Sequence, residues 1–257
     1  MSSNDTNWDL HDQMEIFLTY LKNNIPFCFV HFNDGELSMI MDETKSPLSL
    51  EQNASSELSN KLKKSLIHTQ KNYFPGVSCS ICYPVLRKYA ILMRNQKLIW
   101  NALSFHHTKI VYFNDVLQSL EGKRIHWIIN ERHDLSRLKN CCNINTDSTI
   151  QVPSVNAFDK YKEVFDHHTQ FEKGSIVILL CGCLGRVLAQ EWFYLKSDVT
   201  FLCLGSYFDS IILQKPHCYD HIDNHKHCDE CYNKKIFDEK NWHPKIISLP
   251  SLTYKQK

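Results

Sequence analysis

One stretch narrows the choice of folds more than any other: SIVILLCGCLGRVLAQEWFYL, residues 175–195. An apolar, β-branched run enters a turn that carries Gly182 and Gly185, and an amphipathic helix follows at once. A strand apolar on both sides that feeds directly into a helix is the repeating unit of a parallel sheet. The rest of the second half repeats the pattern. KIVYF (109–113), IHWII (125–129), TIQV (149–152) and TFLCLG (200–205) read as further strands, with helical patterns near 115–120, 134–139, 157–171 and 185–195 between them. The expected fold class is α/β: a Rossmann-like, mostly parallel sheet with helices on both faces. Right-handed crossovers would bring the strand ends, with their loops, to one edge.

The first half leads into the same architecture. Leu10, Met14, Phe17, Leu18 and Leu21 make one face of an amphipathic helix. Residues 27–32, led in by Asn24-Ile25-Pro26, read as a short buried strand that stops at Asp34-Gly35-Glu36. Asp34 is a good N-cap for residues 37–41, and Gly35 permits a tight backbone. Residues 42–53 read as a loop able to move over the site, 54–69 as a helix, 73–76 as a turn, 77–83 as a short strand and 88–103 as a third helix. Cys79 and Cys82 share a C-x2-C spacing, but without a second pair nearby they read as buried thiols.

Two places carry the chemistry. Asp34 and Glu36, one residue apart on a strand-to-helix turn, can both reach one hard divalent cation that keeps waters and takes further ligands from a phosphate. The plainer alternative is a helix cap and a dipole partner. At 182–186 the glycines let backbone N–H groups approach an anion at a helix N-terminus, with Arg186 in reach of phosphate oxygens. Close strand-to-helix packing is the alternative there. Ser154 and Asn156 suit either capping or hydrogen bonds to a ribose or sugar hydroxyl. Glu131 and Arg132 stand at a similar strand end, where a surface salt bridge is the competing reading.

Four blocks in order resemble the GT-D-type glycosyltransferases. FVHFNDGE (29–36) resembles that family's "RFGDGE" block, RVLAQEW (186–192) its "kvLa" helix start, VPSVNAF (152–158) its "iPs-nAf" segment and CLGSYFD (203–209) its "DiGs-fD" ending. The likeness spans about residues 25–211. His31 stands where the family usually has Arg, and Asn33 where it usually has Gly. The resemblance implies a GT-D-like fold and a metal-dependent transfer of sugar from a nucleotide diphosphate, a UDP-sugar as in the family, to a hydroxyl acceptor. It implies Mn2+ or Mg2+ at Asp34 and Glu36, and a donor site drawn from His31, Asn33, Gly35, Ser154, Asn156, Gly182, Gly185, Arg186, Gly205, Ser206 and Asp209, to which Glu131 and Arg132 are added by their strand-end position alone. An inverting transfer also needs a base for the acceptor hydroxyl, with Glu36, Glu131, His31 and Asp209 as candidates.

The net charge of +1 argues against a general nucleic-acid or membrane-surface binder, and the polar, acidic start argues for a cytoplasmic protein without a membrane span. The acceptor is then a glycan, a protein or a lipid-linked sugar. Residues 1–214 read as the glycosyltransferase-like α/β domain. Residues 215–257 are a separate Cys/His-rich segment in which Cys218, His221, Cys228 and Cys231 match the ligand set of a structural zinc clip. A polar surface loop is the alternative. The cluster, with Lys226, Lys234 and Lys235 beside it, also supports a reading from another class: a zinc-containing module that binds nucleic acid or protein on an α/β scaffold. Phosphoester hydrolysis at the acidic turn is a third, weakened by too few carboxylates.

Overall fold

The structure, a computed structural model, describes residues 10–44, 52–77, 84–95, 99–102, 104–107 and 109–212. In chain order its elements are α1 (Leu10–Lys22), β1 (Cys28–Phe32), α2 (Asp34–Met41), α3 (Ser56–Ile67), β2 (Tyr73–Val77), α4 (Pro84–Met93), β3 (Trp100–Asn101), α5 (Ser104–His107), α6 (Lys109–Leu120) and β4 (Ile125–Asn130). There follow α7 (Ser136–Cys142), β5 (Ser148–Val152), α8 (Tyr161–Phe165) between two 3-10 turns, β6 (Ile176–Leu180), α9 (Gly182–Leu195), β7 (Thr200–Cys203) and α10 (Asp209–Ile212). The strands form one parallel sheet in the order β3-β2-β1-β7-β6-β4-β5.

Continuous apolar runs make strands buried on both sides, as β1, β4, β6 and β7 are along their whole length. Side chains alternate between two cores. Cys28, Val30, Phe32, Val177, Leu179, Phe201 and Cys203 face α2, α3, α8 and α9. Phe27, Phe29, Ile176, Ile178, Leu180 and Leu202 face α1, α5, α6 and α7. The apolar stripe of α1 is buried as its spacing requires: Phe17 stacks on Phe27 at 5.6 Å and on Phe105 at 5.3 Å.

Every step toward the β3 edge carries its helices on the first face, and every step toward the β5 edge carries them on the second, as crossovers of one hand demand. The neighbours β1 and β7 therefore part company at their carboxyl ends: β1 continues into α2 on the first face, β7 into α10 on the second. That divergence opens a crevice at the sheet edge, where open α/β folds bind ligands. Among the described residues no helix is long and apolar enough to cross a membrane.

Several elements differ from the sequence-based reading. KIVYF opens helix α6 rather than forming a strand, because Phe113, Val116 and Leu120 recur at helical spacing and face the α1 core. The YFPG turn is strand β2. Its Gly76 is there for close approach, since a Cβ would lie 2.9 Å from Ala102 Cα. The third helix ends at Met93, and Trp100–Asn101 is strand β3. Residues 157–171 form two 3-10 turns around one short α-helix. Helix α2 is capped by Asn33 rather than Asp34, and α9 begins at Gly182. Cys79, Cys82 and the whole of residues 213–257 lie outside the described residues.

Candidate active site

Helix α2 starts immediately where β1 ends, so its first turn sits in the β1/β7 crevice. Asn33 caps it, and the acids at Asp34 and Glu36 suit the positive end of the helix dipole. The two acids then part. Asp34 is half-buried, and no hydrogen bond or ion pair holds its carboxylate among the described residues. Glu36 is fully buried, its Oε2 accepting from the Asn33 backbone N–H at 3.0 Å and its Oε1 paired with Arg186 Nη2 at 2.9 Å. Gly35, between them, is buried.

Arg186 is itself only 5% exposed and uses all three guanidinium nitrogens. Besides the ion pair with Glu36, Nε donates to the His31 carbonyl at 2.8 Å and Nη1 to the Gly182 carbonyl at 2.7 Å. Burial opposes its charge, but Glu36, joined by the neighbouring Cys203, Cys183 and Cys181, more than offsets this and the guanidinium is held protonated. The arginine expected to reach for phosphate thus ties together the ends of β1 and β6 and the start of α2. Its own carbonyl accepts from Ser65 Oγ at 2.9 Å, which anchors it to α3.

The two glycines of the α9 turn serve different ends. Gly182 has φ +59° and is half-buried, and nothing lies within 4 Å of where its Cβ would be, so there is open space beside the start of α9. A Cβ on Gly185 would stand 3.2–3.3 Å from Cys181 Sγ, Cys203 Sγ and Leu179 Cβ, so this glycine seats the helix on β6 and β7. The thiols beneath are free and buried, and burial pushes the Cys181, Cys183 and Cys203 pKa values up.

Across the crevice, His31 points from β1 toward the second face and packs on His106 of α5, ring centroids 5.1 Å apart. His106 Nε2 is 3.3 Å from Ser206 Oγ. Burial, reinforced by the nearby Arg186 charge, lowers the His31 pKa to about 3, so the ring is neutral. Gly205, with φ +59°, presses against it: a Cβ there would be 2.7 Å from His31 Nδ1. Asp209, half-buried, opens α10, and its N–H donates to the Ser206 carbonyl at 3.0 Å. His106 is a site neighbour the sequence does not announce, because nothing local in SFHH marks it and only the pairing of distant elements brings it to His31.

Farther along the same edge, Glu131 and Arg132 are exposed after β4. Ser154 donates to Glu131 Oε1 from its backbone N–H at 3.3 Å and from Oγ at 3.4 Å. Asn156, left-handed at φ 54°, accepts from the Asn53 N–H through Oδ1 at 2.7 Å and so anchors the segment before α3. Buried His133 lies beside them, its pKa lowered to about 4 by burial and then by Arg132.

For a divalent cation the chain offers Asp34. No group of three or more His, Cys, Asp or Glu side chains able to hold a metal ion occurs among the described residues. One open carboxylate fits a Mg2+-like ion that keeps its waters and takes its other ligands from a bound phosphate. The zinc candidates Cys218, His221, Cys228 and Cys231, and the lysines of the binding-module alternative, lie outside the described residues.

No family model matches the chain, and no curated protein matches it. Solved structures do. One is a domain of unknown function, DUF1792, described as having a distinct glycosyltransferase fold, at 17% identity over 75% of this chain and 78% of that one, with a TM-score of 0.57. Another is a DUF1792 glycosyltransferase from Streptococcus sanguinis, at 15% identity over 79% and 85%, with a TM-score of 0.58. At such identities the likeness is one of fold: the parallel sheet and its helices have the architecture of that glycosyltransferase fold.

Proposed function

We propose that the chain is a metal-dependent, GT-D-like glycosyltransferase that moves a sugar from a nucleotide diphosphate donor, a UDP-sugar, to a hydroxyl of a glycan, protein or lipid-linked acceptor. One observation carries the reading: the turn that bears the open carboxylate of Asp34 and the start of a 14-residue helix, α9, are held together at the β1/β7 end by Arg186, paired with Glu36 and bonded to the Gly182 carbonyl. The pair is suited to a diphosphate, with N–H donors on one side and a point to hold its counter-ion on the other.

The difficulty in this transfer is a leaving group that gains negative charge as the glycosidic bond breaks. Mn2+ or Mg2+, bound by Asp34 and the donor, would neutralise that charge. The first-turn N–H groups of α9 would add fixed dipoles, and Arg186 holds that turn in place through the Gly182 carbonyl. Among the candidate bases, Glu36 is engaged by Arg186, and His31, with its pKa near 3, is a weak base. Glu131, exposed beside Ser154, and half-buried Asp209 are the stronger candidates to take the acceptor's proton.

The test is thermal unfolding with a panel of nucleotides and nucleotide sugars, each with and without Mn2+ or Mg2+. A true donor at a hundredfold its Kd should raise the melting temperature by roughly 5–10 °C in a metal-dependent way, and Asp34→Asn should abolish the metal dependence. Absence of a shift with every donor would remove the reading.

A further inference from the structure

We infer that the two acids of the D-x-E turn have divided roles: Asp34 faces the ligand, and Glu36 is a positioning residue that acts through Arg186 to fix the carboxyl ends of β1, β6 and β7. This deepens the donor-site reading above and rests on it for the role of Asp34.

The geometry separates the two acids. Glu36 has no exposed surface, and both oxygens are engaged, one by the Asn33 N–H and one by Arg186. To ligate a hydrated cation it would have to swing out and leave a buried guanidinium without its counter-charge, which is strongly unfavourable. Asp34 needs no such rearrangement. The remaining guanidinium nitrogens show what the ion pair secures, for they hold the His31 carbonyl at the end of β1 and the Gly182 carbonyl at the turn out of β6. The β7 end abuts the same group, since a Cβ on Gly205 would be 3.8 Å from Arg186 Nη2. The two surfaces proposed to meet the diphosphate, the α2 turn and the α9 turn, therefore keep their spacing through a single buried charge pair.

A purely stabilising pair would affect folding alone, whereas a positioning pair also sets the affinity of the site. The experiment compares wild type, Glu36→Gln, Asp34→Asn and the neutral pair Glu36→Gln/Arg186→Gln. Each is examined below its melting temperature by amide exchange and by UDP titration with and without Mn2+. Glu36→Gln should melt roughly 5–15 °C lower. Its amide exchange should rise about tenfold or more at residues 31–36, 182–186 and 203–206, with β4 and β5 unchanged. It should bind UDP more weakly yet keep the wild-type ratio of affinities with and without Mn2+. Asp34→Asn should keep the wild-type exchange pattern and lose the Mn2+ enhancement. The neutral pair should recover melting temperature without recovering UDP affinity.

Loss of the Mn2+ enhancement in Glu36→Gln with wild-type exchange would overturn the inference in favour of direct ligation. Recovery of affinity along with melting temperature in the neutral pair would overturn it in favour of simple stabilisation. If wild type binds neither UDP nor any other nucleotide, the donor-site reading falls by itself. The exchange pattern of Glu36→Gln then decides the positioning role: faster exchange confined to the three strand ends supports it, and any other pattern overturns it.

Discussion

The carboxyl edge of the sheet is built in two ways. Where β1, β6 and β7 end, the polar groups are buried, charged and bonded at 2.7–3.0 Å: Glu36, Arg186, and the carbonyls of His31 and Gly182. Where β4 and β5 end, His133 is buried but Glu131, Arg132 and Ser154 are exposed or half-buried, and the contacts of Ser154 with Glu131 are 3.3–3.4 Å long. The first end is rigid by construction and suits a ligand portion of fixed shape whose charge must be met by dipoles already in place. The second can adjust, as a surface receiving a more varied partner must. Within the proposed function the diphosphate belongs at the first end and the acceptor toward the second.

The comparison is tested most severely by glycines. Gly205→Ala places a methyl group 2.7 Å from His31 Nδ1, in a left-handed backbone, against a ring that is itself packed on His106. Left-handed strain of about 1–2 kcal/mol and overpacking of about 1–3 kcal/mol add to a loss of roughly 2–5 kcal/mol. Gly174→Ala, at φ +80° with nothing within 4 Å, carries the backbone strain alone, about 1–2 kcal/mol. Urea unfolding of both variants measures the difference. Equal losses would mean that the β7 end is no tighter than an open turn.

How much of this was legible in the sequence follows from the range of each interaction. The β6-to-α9 unit, α1 and β1 are written in local periodicity, and they form as read. Local signals misled where a short apolar run fits two periods, as in KIVYF, or where Pro-Gly serves close strand approach instead of a turn, as at Gly76. The candidate residues fall on one edge because parallel strands put them there. The pairing of Arg186 with the β1 end, 155 positions away in sequence, was out of reach. It depends on β1 lying beside β7 and β7 beside β6, which no local pattern encodes. For the same reason the structural share of Arg186, its pairing with Glu36 and its bonds to two carbonyls, cannot be read locally.

Both ends hold a buried histidine that is neutral when folded, so acid should weaken them alike. The folded pKa values, about 3 for His31 and about 4 for His133, lie below the unfolded value. The unfolded chain therefore binds protons first. The stability these rings contribute is fully present above about pH 6.5 and is lost as pH falls toward the folded values. By pH 5 each costs roughly 2 kcal/mol. His31→Gln should remove its own share of the loss between pH 7 and pH 5, seen as a shallower dependence of the unfolding midpoint on pH. An unchanged slope in that variant would mean that His31 is protonated in the folded protein.

The finest test sets two serines against each other. Ser65 Oγ is wholly buried, donates to the Arg186 carbonyl at 2.9 Å and lies 2.9 Å from the Tyr73 hydroxyl. Ser65→Ala deletes two buried hydrogen bonds, to the Arg186 carbonyl and to the Tyr73 hydroxyl, at about 0.5–1.5 kcal/mol each, a loss of about 1–3 kcal/mol. Tyr73 retains its bond to the Ser65 carbonyl at 2.7 Å, which holds the loss toward the lower half of that range. Ser154 Oγ reaches Glu131 at 3.4 Å in a half-buried position, and the Ser154 N–H keeps its own contact to the same oxygen in the alanine variant. Ser154→Ala should therefore change stability by no more than about 0.5 kcal/mol. The same hydroxyl deletion, made at two ends of one sheet edge, then reads the rigidity of each directly. A loss at Ser154 equal to that at Ser65 would show both ends equally locked, and the adaptable acceptor side would have no structural basis.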